Sequence, residues 1–121
     1  MRTRPDKTTI LQVGNLSVER DGHGYMLDPS QWNKEVALLI AKEEEVLLNE
    51  DHWMIIEYMR DYFDKNDIPA DARFVFSLLS DRKSLDKKEA RKLFFDLFPY
   101  GYVKQACKIA GMRQPRAWST G

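Results

Sequence analysis

Apolar residues recur every three or four positions through most of the chain, a spacing that is typical of amphipathic helices. Four helices are predicted, over residues 34–46, 50–65, 69–80 and 87–97. Asn33 and Asn49 are expected to cap the first two, and Pro69 suits the first turn of the third. The second has the widest apolar face, so it is predicted to be central. The side chains expected to face the core are Val36, Leu39 and Ile40, then Trp53, Ile55, Ile56, Met59, Tyr62 and Phe63, then Phe74, Val75, Leu78 and Leu79, and finally Ala90, Leu93, Phe94 and Leu97.

A different pattern near the start of the chain predicts a β-hairpin. Apolar residues in the stretches 10–13 and 16–20 flank Gly14 and Asn15, and a two-residue loop that begins with glycine is typical of a tight hairpin turn. A further short strand is expected at residues 25–27. Residues 1–8, MRTRPDKT, are polar and basic and are expected to be disordered.

Residues 97–121 differ in composition from the rest of the chain. They hold the only cysteine, Cys107, and no acidic residue, although the whole protein has 19 acidic and 19 basic side chains. Their apolar positions predict a short helix that ends at Gly111, a residue suited to the left-handed conformation that closes helices. Residues 112–121 show no apolar period and are expected to form a mobile arm. The basic residues of the segment are Lys104, Lys108, Arg113 and Arg116.

Three motifs follow one another in this segment: the turn LFPYG, the helix KQACKIAG at residues 104–111, and the stretch MRQP at residues 112–115. In this order and spacing they resemble the C-terminus of the DsrC/TusE family of sulfur-relay proteins. The step SQW, with Trp32 packed inward, and the helix EDHWMIIEYMRDYF extend the resemblance over most of the chain. The resemblance implies one mainly α domain over residues 1–121. Its expected form is a small orthogonal helical bundle with an N-terminal β-hairpin, a helix-turn-helix-like pair and a flexible C-terminal arm.

The chain departs from the family at one chemically important position. When the motifs are aligned, the arm cysteine of the family falls at position 118, where this chain has Trp118, followed by three residues instead of one. The thiol that carries the persulfide in the family is therefore absent. We expect a diverged member, regulatory or partner-binding, that docks on sulfur-trafficking proteins of a sulfurtransferase complex or of the sulfite-reductase type.

Two interpretations of Cys107 stay open at the level of sequence. It lies on the apolar face of its predicted helix, and an unpaired cysteine is among the most commonly buried residue types. Alternatively it accepts a persulfide, which requires a thiolate that Lys104 and Lys108 could stabilise. No second cysteine exists to form an internal disulfide. A residual sulfurtransferase-type carrier that uses Cys107 is thus the alternative function.

The basic residues of the last segment and Trp118 are the candidate partner-binding residues. A tryptophan on a mobile arm suits a pocket on a partner protein, where it would dock without offering sulfur. It could equally fold back onto the surface of its own chain. The candidate set is Lys104, Lys108, Arg113, Arg116 and Trp118.

Composition and motifs exclude several other classes of protein. Zero formal net charge argues against strong non-specific binding to nucleic acid. A DNA-binding regulator that uses residues 50–80 and the basic arm stays a weak alternative, because the expected recognition helix offers only Arg73 against Asp71 and Asp81. No sequence pattern indicates a metal, a cofactor, a membrane-spanning segment or an independent active site. The single cysteine fits a reducing cytoplasm, and the oligomeric state is not indicated.

Overall fold

The computed structural model describes residues 7–115. This part of the chain opens with a β-hairpin made of β1 (Thr8–Val13) and β2 (Leu16–Asp21). A 3-10 turn at Pro29–Gln31 precedes the helices α1 (Lys34–Glu43), α2 (Glu50–Asn66), α3 (Ala72–Lys83) and α4 (Lys87–Leu97). A π-helical turn at Tyr102–Ala106 then runs directly into α5 (Cys107–Ile109). The predicted mainly α fold with an N-terminal hairpin is therefore confirmed.

The hairpin forms in the predicted register. Val13 pairs with Leu16, which leaves Gly14 and Asn15 as a two-residue loop, and Gly14 takes a φ of 60° at the position where glycine is required. The expected third strand is reduced to a single bridge between Arg20 and Met26. Thr8, predicted to be disordered, already belongs to β1, and residues 1–6 lie outside the described part of the chain.

Short polar side chains fix the beginnings of the helices. Asn33 accepts from the Val36 amide at 2.9 Å, and Asn49 accepts from the amides of the first turn of α2, so both predicted caps are confirmed. The predicted start of α3 at Pro69 is wrong. Asp71 accepts from the Arg73 amide at 2.9 Å and so caps a helix that begins three residues later than proline alone would suggest.

One hydrophobic core runs beneath the hairpin and all the helices of residues 7–115. At its centre Phe94 packs its ring against those of Phe76, Phe98 and Tyr102, with centroid separations of 5.3, 5.3 and 6.3 Å. Most of the predicted inward positions are buried or half-buried, but two are exposed. Leu39 is 37% exposed because the buried face of α1 consists of Val36, Ala37, Ile40 and Ala41.

Phe74 is the second inward prediction that is wrong. It is 42% exposed and lies over the edge of the core, where its ring meets that of Tyr62 at 5.7 Å. On α3 the predicted inward residues Val75 and Leu79 are buried, and Ala72 joins them on the same face at helical spacing.

His52 ties the start of α2 to the end of α4. Its Nδ1 accepts from the Asn49 amide at 3.0 Å, so Nε2 carries the proton and donates to the Leu97 carbonyl at 2.8 Å. The ring is buried and meets Phe98 edge-on at 5.0 Å. Burial disfavours the imidazolium and lowers the pKa of His52 below its ordinary value. The neutral ring is thus part of the native structure.

Acidification is expected to destabilise the fold through His52. The unfolded chain binds a proton at His52 near the ordinary histidine pKa of about 6.5, whereas the native ring has a lower pKa and binds its proton only at lower pH. The stability that the neutral ring contributes is therefore complete above that pH and is lost as the pH falls below it. Denaturant titrations between about pH 7.5 and about pH 5 should show this decline, and His52→Gln should flatten it. The matched variant His23→Gln replaces an exposed turn histidine and controls for the loss of a histidine as such.

Candidate functional site

The segment that carries Cys107 begins with a turn that only glycine permits. Gly101 takes φ 90° and ψ −175°, a conformation that is strained for any residue with a Cβ. The buried Gln105 side chain closes the turn by accepting from the Tyr100 amide at 3.1 Å. The amide of Cys107 then donates to the Tyr102 carbonyl, five residues back, which defines the π-helical turn. This widened turn delivers Cys107 to the core side of the segment.

Cys107 is completely buried, with an exposed fraction of 0%. Burial raises the pKa of its thiol to about 12, because a thiolate there would be deprived of water. The thiol also contacts the Tyr102 hydroxyl. That hydroxyl also donates to the Ala70 carbonyl, which ties Tyr102 to the connector ahead of α3. Its hydrogen bond with the thiol lowers the pKa of Cys107, but burial is the larger effect and favours the protonated, unreactive form of the cysteine.

Neither lysine near Cys107 is placed to stabilise a thiolate. The Nζ of Lys108 lies 3.4 Å from Glu44 and 5.2 Å from the centroid of the Tyr25 ring, and no lysine contributes to the pKa shift of Cys107. Its side chain is only 17% exposed, and the partner-binding role of Lys108 stays a prediction. Lys104 is exposed.

The end of α5 is closed by a Schellman motif. The Met112 amide donates to the Cys107 carbonyl at 2.9 Å and the Gly111 amide to the Lys108 carbonyl at 3.2 Å, with Gly111 at φ 79°. Met112, expected at the start of a mobile arm, is completely buried. Arg113 is exposed, but its Nε donates to the Leu27 carbonyl at 3.1 Å. The attached part of the segment therefore extends at least to residue 113.

Two side chains from earlier in the chain hold the carbonyls at this helix end, and we call Trp32 and Arg60 the carbonyl clamp. Trp32 donates through Nε1 to the Ile109 carbonyl at 2.9 Å. Arg60 donates to the carbonyls of Ala110 and Pro29 at 3.1 and 2.9 Å. The inward packing of Trp32 was predicted, whereas Arg60 was missed, since a single arginine on a helix gives no sequence signal.

Two of the candidate partner-binding residues, Arg116 and Trp118, lie outside the described residues. Within residues 7–115 no group of three or more His, Cys, Asp or Glu side chains could hold a metal ion. No helix in that range is both long and apolar enough to cross a membrane. Arg73, the basic residue of the weak DNA-binding alternative, is paired with Asp71 at 3.1 Å.

Comparison with known proteins identifies the family. The family profile described as "DsrC like protein" matches residues 12–117. The chain belongs to the DsrC-like family. The sulfurtransferase TusE of Photorhabdus laumondii is 36% identical to it over 106 residues, which are 88% of this chain and 95% of that relative. The sulfurtransferase TusE of Escherichia coli strain K12 is 36% identical over 99 residues, 81% of this chain and 89% of that relative.

Solved structures of DsrC proteins share the fold of this DsrC-like chain. The NMR structure of DsrC from Allochromatium vinosum matches with a TM-score of 0.78 and 31% identity, over 92% of this chain and 98% of that one. The crystal structure of the oxidized gamma-subunit of the dissimilatory sulfite reductase from Archaeoglobus fulgidus matches with a TM-score of 0.76 and 32% identity, over 90% and 98% of the two chains. The resemblance to the DsrC/TusE family of sulfur-relay proteins is confirmed.

Proposed function

We propose that this protein is a docking or regulatory member of the sulfur relay, which binds sulfur-trafficking proteins through its C-terminal segment and carries no sulfur itself. The observation that carries the proposal is the complete burial of Cys107, the only thiol of the chain. The position of the family's arm cysteine is occupied by Trp118. A chain that keeps the family fold without an accessible thiol retains the surfaces for recognition while the transfer chemistry is missing.

Transfer of a persulfide to Cys107 would require its thiolate to reach a sulfur atom on a partner. The thiolate is disfavoured by the raised pKa, and the side chain has no exposed surface from which to attack. The added sulfur would also have to fit among packed side chains such as Tyr102 and Ile109, which leave little free volume in a core. A sulfur carrier that uses Cys107 would therefore have to open the π-helical turn in every cycle.

The expected docking residues are the basic side chains of the segment together with Trp118. Lys104 and Arg113 are exposed, and Arg116 and Trp118 follow in sequence. Positive charges speed the encounter with an acidic partner surface, and a tryptophan can anchor in an apolar pocket. Lys108 is omitted because it is paired with Glu44. The proposed partners are a sulfurtransferase complex or a protein of the sulfite-reductase type, in the reducing cytoplasm that a lone unpaired cysteine fits.

Deleting residues 116–121 is expected to weaken docking at least about tenfold, because the deletion removes the aromatic anchor and one positive charge. The deletion starts after Pro115 because Met112 is a core residue whose loss would disturb the fold. Titration calorimetry against a purified sulfurtransferase complex and a purified dissimilatory sulfite reductase gives the affinity. The matched control lacks residues 1–6, which carry two arginines at the other terminus, and should bind like the wild type. Binding of neither partner by the wild type, or equal affinity of the variant that lacks residues 116–121, would overturn the proposal.

A further inference from the structure

The carbonyl clamp joins three parts of the chain that are far apart in sequence. Arg60 extends from α2 and bonds the Pro29 carbonyl of the 3-10 turn and the Ala110 carbonyl at the end of α5. Its guanidinium carbon lies 4.7 Å from the centroid of the Trp32 ring, within the range of a cation–π interaction. Trp32 in turn bonds the Ile109 carbonyl. One planar side chain thus sets the relative position of a loop, a helix and the end of the C-terminal helix.

Arg60 makes both of these hydrogen bonds outside its own helix, to Pro29 and Ala110. The atoms that accept its hydrogen bonds are neutral carbonyls, and burial lowers the pKa of Arg60 although the nearby Asp64 opposes the shift. A planar guanidinium that donates to two backbone oxygens fixes both the distance and the angle between the two segments. The single ammonium of a flexible lysine would not do so. A positive group at the last carbonyls of a helix is also electrostatically favourable.

The direction of the chain beyond α5 depends on this contact. Gly111 lies so close to Trp32 that a Cβ there would approach the indole ring to 2.4 Å. Met112 then enters the core, and Arg113 bonds the Leu27 carbonyl next to the 3-10 turn. Gly111, Met112 and Arg113 directly follow in sequence the two residues whose carbonyls the clamp holds at the end of α5.

We propose that Arg60 is a positioning residue, which fixes the point and direction at which the C-terminal segment leaves the domain and thereby strengthens docking of that segment. The inference rests on the proposed function. A segment whose base is held in one orientation loses less conformational freedom when it binds, so its affinity is higher than that of a segment with a loose base. Arg60 acts through the backbone of residues 109–113 and does not touch the partner.

Amide hydrogen exchange tests, without any partner, whether Arg60 holds the base of the C-terminal segment. The Met112 amide donates to the Cys107 carbonyl directly after the clamp, whereas the Leu79 amide lies in the buried stretch of α3. In Arg60→Gln, exchange at Met112 should accelerate at least about tenfold while exchange at Leu79 stays as in the wild type. A purely global loss of stability would accelerate the exchange of both amides together. The matched control is Arg73→Gln, at an arginine whose side chain is 80% exposed, and it should leave both amides unchanged.

Calorimetric titration tests whether Arg60 strengthens docking. The same variants are titrated with the sulfurtransferase complex and with the sulfite reductase. Affinity should fall about tenfold in Arg60→Gln, less in Arg60→Lys, and not in Arg73→Gln. Wild-type exchange at Met112 in Arg60→Gln, or full affinity despite a loosened Met112, would overturn the positioning role. Absence of any binding by the wild type would overturn the proposed function instead, and with it the claim on docking, while the exchange result would still decide whether Arg60 holds the segment. The two failures are therefore distinguishable.

Discussion

Replacement of Gly111 by alanine is expected to lower the free energy of unfolding by about 2–4 kcal/mol, as the sum of backbone strain and a steric clash. Gly111 has a φ of 79°, which costs a residue with a Cβ about 1–2 kcal/mol. The new Cβ would also lie 2.4 to 2.8 Å from three atoms of Trp32, so the indole must move. Movement of the indole breaks its hydrogen bond to the Ile109 carbonyl and disturbs its contact with Arg60.

Denaturant unfolding of Gly111→Ala beside Gly14→Ala separates these two causes. Gly14 also has a positive φ, of 60°, but a Cβ added there would meet no atom within 4 Å. Gly14→Ala should therefore show the strain alone, about 1 kcal/mol, and Gly111→Ala clearly more. Equal losses in the two variants would mean that Trp32 yields freely and that its contact with Gly111 contributes nothing to stability.

Alkylation of Cys107 in the folded protein is expected to be at least about a thousandfold slower than in the unfolded chain. An ordinary thiol has a pKa of about 8.5, whereas burial raises that of Cys107 to about 12, which reduces the thiolate fraction near neutral pH by about three orders of magnitude. Lack of access slows the reaction further, because the side chain has no exposed surface. Intact mass recorded over time with iodoacetamide, with and without denaturant, gives both rates.

The variant Trp118→Cys is the positive control for this chemistry, because it restores a thiol at the family's arm position. With a persulfide donor, this variant should gain one sulfur atom under native conditions, and the wild type should gain none. Rapid alkylation or sulfur uptake by the native wild type, abolished in Cys107→Ser, would restore Cys107 as a carrier. The proposed non-carrying function would then be wrong.

The hairpin and the helix caps could be predicted because each depends on residues that are adjacent in sequence. Gly14 and Asn15 determine a two-residue turn by themselves, and Asn33 needs only the next turn of its own helix. The start of α3 was mispredicted because two local signals competed there, and the cap at Asp71 outweighed the proline at residue 69. The exposure of Phe74 depends on how α3 lies against α2, which periodicity does not fix.

The site itself could be located from sequence but its chemistry could not. The apolar face of the KQACKIAG helix correctly indicated an inward Cys107, yet the same pattern allowed a reactive thiol beside two lysines. The structure favours burial because Tyr102, five positions earlier, contacts the thiol while bonding Ala70 on the connector before α3. Contacts between such distant segments depend on the tertiary arrangement. The same holds for the pairing of Lys108 with Glu44 and for the whole carbonyl clamp.

The neutral partners of Arg60 have a consequence for the response of the protein to ionic strength. Dissolved salt screens attraction between exposed charges over a length of about 8 Å at physiological concentration, but it acts weakly on a half-buried bond between a guanidinium and a carbonyl. If the proposed function holds, added salt should reduce the attraction of Lys104 and Arg113, both exposed, to an acidic partner and leave the base of the segment in place. The segment would remain oriented in concentrated electrolyte and would regain its partner upon dilution without any refolding step.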